Sequence, residues 1–225
     1  MKIALIGGTG FVGKAVLQEL LERGHEVMAL ARNPGKYAPH PHLKVVQADA
    51  LDAGQVAQAV AGQDAVVSAY NPGWKEPKIY DLFLQGYEAI VAGLKQAGLK
   101  RLLVVGGAGS LYLASGQQVV DMPDFPAAYK DGALASREAL NRLRGEDSLD
   151  WTFLSPPAFL APGERRGTYR LGGEELMFSG DQMAGISLAD LALALVDEIE
   201  RPQHIRKRTP SFGRAGKHGR DVKGA

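Results

Sequence analysis

The sequence lacks cysteine altogether among its 225 residues. This absence excludes disulfide bonds, thiolate nucleophiles and metal sites built on thiolates. No apolar run approaches the roughly 18 residues that a membrane-spanning helix needs. Glycines also interrupt the apolar start, MKIALIGGTG, too early for a signal peptide. We therefore expect a cytoplasmic protein without a membrane partner.

Several catalytic motifs are missing as well. The His residues show no HExxH sequence and no paired ligand spacing, so we expect no metal site. There is no Walker sequence, and the segment GGAGS (106–110) lacks the Gly-x-Ser-x-Gly pattern of serine hydrolases.

An excess of charge of one sign is almost absent, because the formal net charge is only +1. The charge is nevertheless unevenly placed. Residues 201–225 carry eight Lys or Arg and one Asp, a charge of +7, which leaves −6 on residues 1–200. We predict that residues 1–212 form a single domain and that 213–225 form a basic, flexible tail. Since no aromatic residue follows Phe212, we interpret this tail as solvated and expect no nucleic-acid partner.

The sequence does have a regular alternation of short apolar runs and amphipathic stretches. The apolar runs predict strands at 2–6, 26–31, 43–46, 64–69, 101–105 and 151–154. The amphipathic stretches predict helices at 11–23, 53–61, 80–97 and 129–144, with another after Ser187. This order indicates an α/β fold, namely a doubly wound parallel sheet (Rossmann fold) with strand order 3-2-1-4-5-6.

Residues 155–186 break the alternation because they are rich in glycine and proline and hold one short strand candidate, 168–171. We predict a small C-terminal cap segment there, over the carboxyl edge of the sheet. Cap loops at 70–77 and 109–128 rise from the same edge. These three segments contain apolar side chains that suit a planar ligand: Tyr70, Trp74, Tyr112, Phe125, Phe159, Met177, Phe178 and Met183.

The first loop carries the strongest motif, Gly7-Gly8-Thr9-Gly10-Phe11-Val12-Gly13, between the first predicted strand and the first helix. Gly7 permits a tight turn, Gly10 lets the backbone approach a pyrophosphate, and Gly13 lets helix and strand pack closely. Free backbone N–H groups and the positive end of the helix dipole then face the phosphates. We predict that a dinucleotide is bound by Gly7, Thr9, Gly10, Phe11, Val12 and Gly13.

The end of the second predicted strand selects between dinucleotides. An Asp or Glu at this place binds the ribose 2′-hydroxyl of NAD, but this sequence has Arg32 and Asn33, with Lys36 close behind. A guanidinium binds a 2′-phosphate well. We therefore predict that Arg32, Asn33 and Lys36 contact the cofactor, with NADP(H) preferred and NAD(H) as the alternative.

Four further segments are more specific: VVGGAGSL (104–111), LDWTFLSPP (149–157), PGERRGTYRLGG (162–173) and ISLADLALALVDEIE (186–200). Together with the glycine loop they resemble atypical short-chain dehydrogenases/reductases. The branch is that of NAD-dependent epimerase/dehydratase-like and NADH-flavin-reductase-like proteins, which is similar to biliverdin-IXβ/flavin reductases. The resemblance covers residues 1–212 and implies an NAD(P)H-dependent oxidoreductase.

The resemblance implies further cofactor contacts at the ends of the later strands. Asp49 and Ala50 would hold the adenine edge after the third strand. The other implied contacts follow the fourth, fifth and sixth strands: Ser68, Ala69, Tyr70, Gly106, Gly107, Ala108, Pro156, Pro157 and Ala158. The topology of the fold also places these strand ends at the cofactor crevice.

The Tyr-x-x-x-Lys pair of the wider superfamily is absent. In that pair, Lys lowers the pKa of a Tyr that lies four residues earlier on the same helix. Here Tyr129 is followed directly by Lys130, which lies on another face, and four residues later by Ala133. We retain Ser110 and Tyr129 as candidate catalytic residues that orient the substrate.

Without that pair, proton removal from a hydroxyl group is disfavoured. Hydride transfer to an electron-poor planar ring needs mainly stacking and the exclusion of water. We therefore predict an NADPH-dependent reductase of a flavin, quinone or similar conjugated planar acceptor. A non-catalytic NADP(H)-binding sensor is the alternative, and a sugar-nucleotide epimerase or dehydratase is a third. The sequence does not choose between a monomer and a homodimer.

Overall fold

Parallel strands form the centre of the computed structural model, which describes residues 1–209, 212–213 and 221–223. The first six strands are β1 (Lys2–Ile6), β2 (Glu26–Ala31), β3 (Leu43–Gln47), β4 (Ala65–Ser68), β5 (Arg101–Val105) and β6 (Asp150–Leu154). They are ordered β3-β2-β1-β4-β5-β6 and all pair in parallel. The predicted doubly wound Rossmann sheet and its strand order are confirmed.

Helices cover both faces of this sheet: α1 (Phe11–Glu22), α2 (Ala53–Val60), α3 (Ile79–Gln96), α4 (Ala127–Arg144) and α5 (Leu188–Glu200). Helices α1 and α5 pack on one face, and α2, α3 and α4 pack on the other. Because successive strand residues point to opposite faces, Ile3 and Leu5 meet the first pair while Ala4 and Ile6 meet the other three helices. No helix in the described ranges is long and apolar enough to cross a membrane.

Polar side chains cap the starts of two helices. The Asp52 side chain accepts from the backbone N–H groups of Gly54 and Gln55 at the start of α2. The Ser187 side chain accepts from the backbone N–H of Asp190 at the start of α5. Such caps satisfy donors that have no partner within the helix.

The cap segment consists of short strands: β7 (Phe159–Ala161), β8 (Thr168–Leu171), β9 (Phe178–Ser179), β10 (Gln182–Met183) and β11 (Gly185–Ser187). Strand β8 has the predicted bounds. A later strand, β12 (Lys207–Thr209), pairs in parallel with β6 and becomes the seventh strand of the central sheet.

The predicted tail 213–225 falls largely outside the described residues, namely at 214–220 and 224–225. Its described part pairs with the cap, since β13 (Phe212–Gly213) and β14 (Asp221–Lys223) both run antiparallel to β8. The basic, flexible tail stays a prediction for the rest of the segment.

A charged cluster joins α1 to α5 on the face opposite α3. The Arg23 guanidinium lies 2.8 Å from carboxylate oxygens of Glu19, Asp197 and Glu200. Burial favours the neutral form of Glu19, but hydrogen bonds from Arg165 and Arg23 outweigh it and hold the Glu19 pKa below its ordinary value. A carboxyl with a lowered pKa stabilises the fold at neutral pH, and this contribution is lost as the pH falls through its folded-state pKa.

Replacing Arg23 by Met should destabilise the fold by about 3 kcal/mol, because the buried Asp197 carboxylate then keeps only Arg201, at 3.8 Å, and the buried Glu19 carboxylate keeps only Arg165. The measurement is urea unfolding at pH 7. Arg142→Met is the matched control, since Arg142 pairs with the surface residues Glu138 and Glu88 and should change stability by no more than about 1 kcal/mol. Equal effects of the two substitutions would contradict the assignment of the Arg23 cluster as a stabilising contact.

Candidate functional site

A cavity of about 1310 Å³ opens along the carboxyl edge of the central sheet. All parallel strands end at this edge, so the loops that follow β1 to β6 all contribute to the cavity lining. Pockets for a single small ligand usually measure about 300–1,000 Å³. The cavity is therefore large enough for a dinucleotide together with a second molecule.

The glycine loop forms the middle of the cavity wall, since β1 lies between β3 and β5 in the sheet, and it contributes Gly7, Thr9, Gly10, Phe11 and Val12. Gly7 has a φ of 84°, in the left-handed region that glycine adopts without strain. A Cβ atom on Gly13 would overlap the Gly7 backbone, so α1 can approach the loop only with glycine at position 13. Gly13 therefore packs behind the loop and does not line the cavity.

Helix α1 begins at this loop without a polar cap. Gly10 precedes it and supplies no side chain, and the first turn contains no acidic residue. The backbone N–H groups of the first helical turn have no partner within the helix. They and the positive end of the helix dipole favour an anion such as a pyrophosphate.

The loop after β2 brings two cations to the cavity. Arg32 and Lys36 are exposed, line the cavity and form no ion pair with any described residue. Asn33 lies between them and uses its side chain to accept from the Gly35 backbone N–H at 3.2 Å. This arrangement leaves both cations available to a phosphate group.

Asp49 and Ala50 line the cavity after β3. The Asp49 backbone N–H donates to the Gln55 side chain at 2.9 Å, and Asp49 Oδ1 accepts from the Leu51 backbone N–H at 3.0 Å. These two bonds hold the carboxylate in place while Oδ2 has no partner among the described residues. Asp49 Oδ2 can thus accept a hydrogen bond from an amino group such as that of adenine.

Tyr70, after β4, forms a rigid part of the wall beside Ala69. Its ring packs where a Cβ on Gly86 of α3 would stand, and its hydroxyl donates to the Leu82 carbonyl at 3.1 Å. Burial and the nearby Asp49 carboxylate raise the Tyr70 pKa to about 12, against a smaller opposite effect of Arg32. The phenol therefore stays protonated and serves as a wall. Ser68, one of the predicted contacts, is buried beneath Tyr70 and does not reach the cavity.

One end of the cavity is formed by the loop after β3, and the other end lies beyond β5 and β6. The lining there includes every residue predicted at these strand ends: Gly106, Gly107, Ala108, Pro156, Pro157 and Ala158. A Cβ on Gly106 would overlap the Phe153 ring, which explains the glycine at the point where β5 leaves the sheet. The roles of these residues toward a cofactor stay predictions.

Aromatic residues stand at the mouth of the cavity. Trp74 and Tyr129 form an edge-to-face pair with ring centroids 5.1 Å apart, and both are about half exposed. Gly132 of α4 makes room for this pair, because a Cβ there would lie 2.6 Å from Cζ3 of Trp74. Phe125, Phe159 and Met183 also line the cavity.

Some predicted residues are directed elsewhere. Tyr112, Met177 and Phe178 do not line the cavity, so the predicted planar wall is smaller than the sequence indicated. Ser110 is buried at 2% exposure and also lies off the cavity. Its hydroxyl accepts a hydrogen bond from Arg208 Nη2 at 3.1 Å, which turns it away from any substrate.

Two residues near the cavity were missed by the sequence analysis. Ser136 lines the cavity floor, is buried, and its hydroxyl has no hydrogen-bond partner among the described residues. It lies seven residues after Tyr129, on the same helical face, so that spacing was the available signal. Arg208 gave no such signal, because it was one of several cations near the carboxyl end. The described residues contain no cluster of His, Asp or Glu that could hold a metal ion.

Comparison with known proteins gives a family match and several relatives. A family model described as NAD(P)H-binding matches residues 7–202. The chain is 38% identical over 211 residues to the uncharacterized protein YwnB of Bacillus subtilis, a match that covers 92% of this chain and 96% of YwnB.

Solved structures are similar over nearly the whole chain. A protein of Bacteroides thetaiotaomicron, provisionally named an epimerase, is 42% identical with a TM-score of 0.88 and covers 97% of this chain and 99% of its own. A protein of Streptococcus pneumoniae, provisionally named an NADH-flavin reductase, is 35% identical with a TM-score of 0.81. The match covers 95% of this chain and 99% of the pneumococcal chain. The two names describe different reactions, so the likeness by itself does not select one.

Replacing Gly13 by Ala should destabilise the fold by about 2–3 kcal/mol, because its Cβ overlaps the Gly7 backbone and α1 must move. Gly145→Ala is the control, since Gly145 ends α4 with a φ of −89° and a Cβ there would meet only the Arg142 carbonyl oxygen, at an ordinary contact distance of 3.5 Å. That change should alter stability by no more than about 1 kcal/mol. Thermal unfolding of both variants is the measurement, and an unshifted midpoint for Gly13→Ala would be the contrary result.

Proposed function

We propose that this chain, which belongs to the NAD(P)H-binding family, is an NADPH-dependent reductase that delivers hydride to a conjugated planar acceptor such as a flavin or quinone. The matched relatives confirm the predicted branch of atypical short-chain dehydrogenase/reductase-like proteins. The observation that carries the specific proposal is a cavity with space for two molecules, an aromatic mouth and no Tyr–Lys pair.

The lining residues suggest one direction for the dinucleotide. The adenine would lie beside Asp49, the pyrophosphate at the start of α1, and the nicotinamide over Gly106, Gly107 and Ala108. This direction follows from the order of the strands, since β3 and β5 lie on opposite sides of β1 in the sheet. It places the nicotinamide at the end of the cavity that the aromatic mouth overlooks.

The chemistry of that end favours hydride transfer over proton abstraction. Ala133 occupies the cavity-lining position four residues after Tyr129, while Lys130 is exposed and does not line the cavity. The position where an epimerase or alcohol dehydrogenase requires a lysine to assist proton transfer by the tyrosine therefore holds an alanine. Bound NADPH supplies a hydride, and a proton from solvent completes the reduction of a quinone or flavin.

The side chains at the mouth of the cavity then serve to hold and shield the acceptor. Trp74 and Tyr129 hold a planar ring at the mouth, and Phe159 shields it from solvent on the cap side. Stacking of this kind contributes through burial and through ring geometry. Orientation of the two rings and exclusion of water account for the rate increase.

The preference for NADPH rests on the unpaired cations after β2. Arg32 can bind the 2′-phosphate with two parallel N–H groups, and Lys36 adds a second charge. No carboxylate among the described residues forms an ion pair with either of them. We therefore assign the 2′-phosphate of NADPH to this pair.

Arg32→Ala should weaken NADPH binding by about tenfold to a hundredfold, the value of a charge-assisted hydrogen bond. NADH binding should stay within about twofold, because NADH carries no 2′-phosphate. The measurement is a pair of calorimetric titrations. Lys44→Ala is the control, since Lys44 is an exposed cation on the neighbouring strand β3 that does not line the cavity. Equal losses of affinity for NADPH and NADH would contradict the assignment of the 2′-phosphate to Arg32.

Trp74→Ala should lower kcat/KM for the acceptor by about tenfold and leave the NADPH dissociation constant unchanged, because Trp74 stacks on the acceptor alone. NADPH oxidation is followed with menadione, riboflavin and FMN as acceptors. Tyr80→Ala is the control, because Tyr80 is an exposed aromatic outside the cavity.

A binding signal separates the proposed reductase from the sensor. Of the two Trp residues, Trp151 is buried at 3% exposure and Trp74 is exposed. A bound acceptor should therefore quench chiefly the fluorescence of Trp74. If NADPH binds tightly but no acceptor is reduced above background, the reductase proposal fails and a non-catalytic NADP(H)-binding protein takes its place.

A further inference from the structure

A buried arginine stands beneath the nicotinamide end of the cavity. Arg208 of β12 has a side chain only 1% exposed. Its guanidinium donates to the Ser110 carbonyl and hydroxyl at 3.1 Å each, to the Ser155 hydroxyl at 3.0 Å and to a Glu174 carboxylate oxygen at 2.7 Å. One side chain thus binds three separate segments of the chain.

Two of these segments carry the predicted nicotinamide contacts. Ser110 ends the helical turn Ala108–Ser110, whose first residue lines the cavity. Ser155 directly precedes Pro156, Pro157 and Ala158, which line the opposite side of the same end. The Arg208 guanidinium therefore spans the gap between the loop after β5 and the loop after β6.

The third segment is the cap. Glu174 supplies the carboxylate, is about half exposed, and is also approached by Arg144 at 3.3 Å. The Glu174 carbonyl accepts from the Tyr112 backbone N–H at 3.0 Å, which ties the cap to the 109–128 loop. Arg208 is thus the point at which sheet, loops and cap meet.

The chemistry of this contact requires an arginine. A guanidinium presents five N–H groups in a fixed plane, whereas a lysine ammonium is a compact charge on a flexible stem. Burial opposes the charged form and lowers the Arg208 pKa despite the Glu174 carboxylate. A buried cation of this kind adds little net stability. The geometry of its hydrogen bonds therefore indicates its role better than its charge does.

We propose that Arg208 is a positioning residue, which fixes the spacing of the Ala108–Ser110 turn and the Pro156–Ala158 loop and thereby orients the nicotinamide for hydride transfer. This inference rests on the proposed function, because it takes those two loops as the nicotinamide contacts. Arg208 does not line the cavity and acts through Ser110 and Ser155.

The test compares Arg208→Lys with Arg101→Lys. Arg101 is a largely buried arginine, with a side chain 11% exposed, that pairs with the buried carboxylate of Glu198 and donates to Thr152 at 2.7 Å. It stands at the start of β5, at the opposite edge of the sheet from the cavity. Both substitutions replace a planar guanidinium by a lysine ammonium, but only Arg208→Lys should disturb the nicotinamide end of the cavity.

Three readouts are taken on each full-length variant. The first is affinity for adenosine 2′,5′-bisphosphate, which has the adenosine half of NADPH and no nicotinamide. The second is the fluorescence of bound NADPH, which reports how firmly the nicotinamide is held. The third is the single-turnover rate of NADPH oxidation by menadione.

For Arg208→Lys we expect unchanged affinity for the bisphosphate, bound-NADPH emission that falls toward that of free NADPH, and a rate at least about tenfold lower. Arg101→Lys should change only the unfolding midpoint. Equal effects of the two variants on emission, or an Arg208→Lys protein with unaltered NADPH emission, overturn the proposal. A lack of menadione reduction by the unaltered chain refutes the proposed function alone, since the emission still tests Arg208. Failure of the unaltered chain to bind NADPH refutes both.

Glu174→Gln provides a second variant in case Arg208→Lys does not fold. The glutamine side chain still offers a hydrogen-bond acceptor to Arg208 but removes its negatively charged counterion. Glu174 lies outside the cavity. We expect the same direction of change in NADPH emission with a smaller loss of rate, about threefold. Unchanged emission in Glu174→Gln, with Arg208→Lys unfolded, also overturns the proposal.

Discussion

The close approach of α1 to the loop after β1 is the constraint on which the rest of the site depends. Neither Gly7 nor Gly13 has room for a Cβ atom, since Gly7 meets the Ala69 backbone and Gly13 meets Gly7. This contact directs the uncapped start of α1 along the carboxyl edge of the sheet. Every other element of the cavity is placed relative to that anion-attracting helix start.

The two ends of the cavity are built by different means. At the end after β3, local hydrogen bonds suffice, because Asp49 is held by Gln55 and Leu51 only a few residues away. At the end beyond β5 and β6, the loops are held by Arg208, which lies about a hundred residues beyond Ser110 in the chain. The end beyond β5 and β6 therefore depends on β12 and on the cap, and it forms only when the whole domain has folded.

Much of the fold could be predicted because the signals were local. The period of apolar residues separated strands from helices, and the glycine loop marked the crossing from β1 to α1. Ser110 shows where such reasoning stops. Its place after β5 suggested a catalytic hydroxyl. In the structure, that hydroxyl accepts a hydrogen bond from the guanidinium of Arg208 on β12. Tyr112 and Phe178 likewise follow the expected loops but lie off the cavity, because loop side chains are directed by contacts far away in the sequence.

The sequence by itself determined the Rossmann sheet, the glycine loop, the cations after β2 and the missing Tyr–Lys pair. Each of these follows from neighbouring residues, whose spacing and chemistry can be read directly. Only the tertiary structure decided which side chains face the cavity, how Trp74 meets Tyr129, and that Arg208 is buried between the loops after β5 and β6. The physical reason is that burial and pairing depend on elements brought together from opposite ends of the chain, and no local pattern encodes their distances.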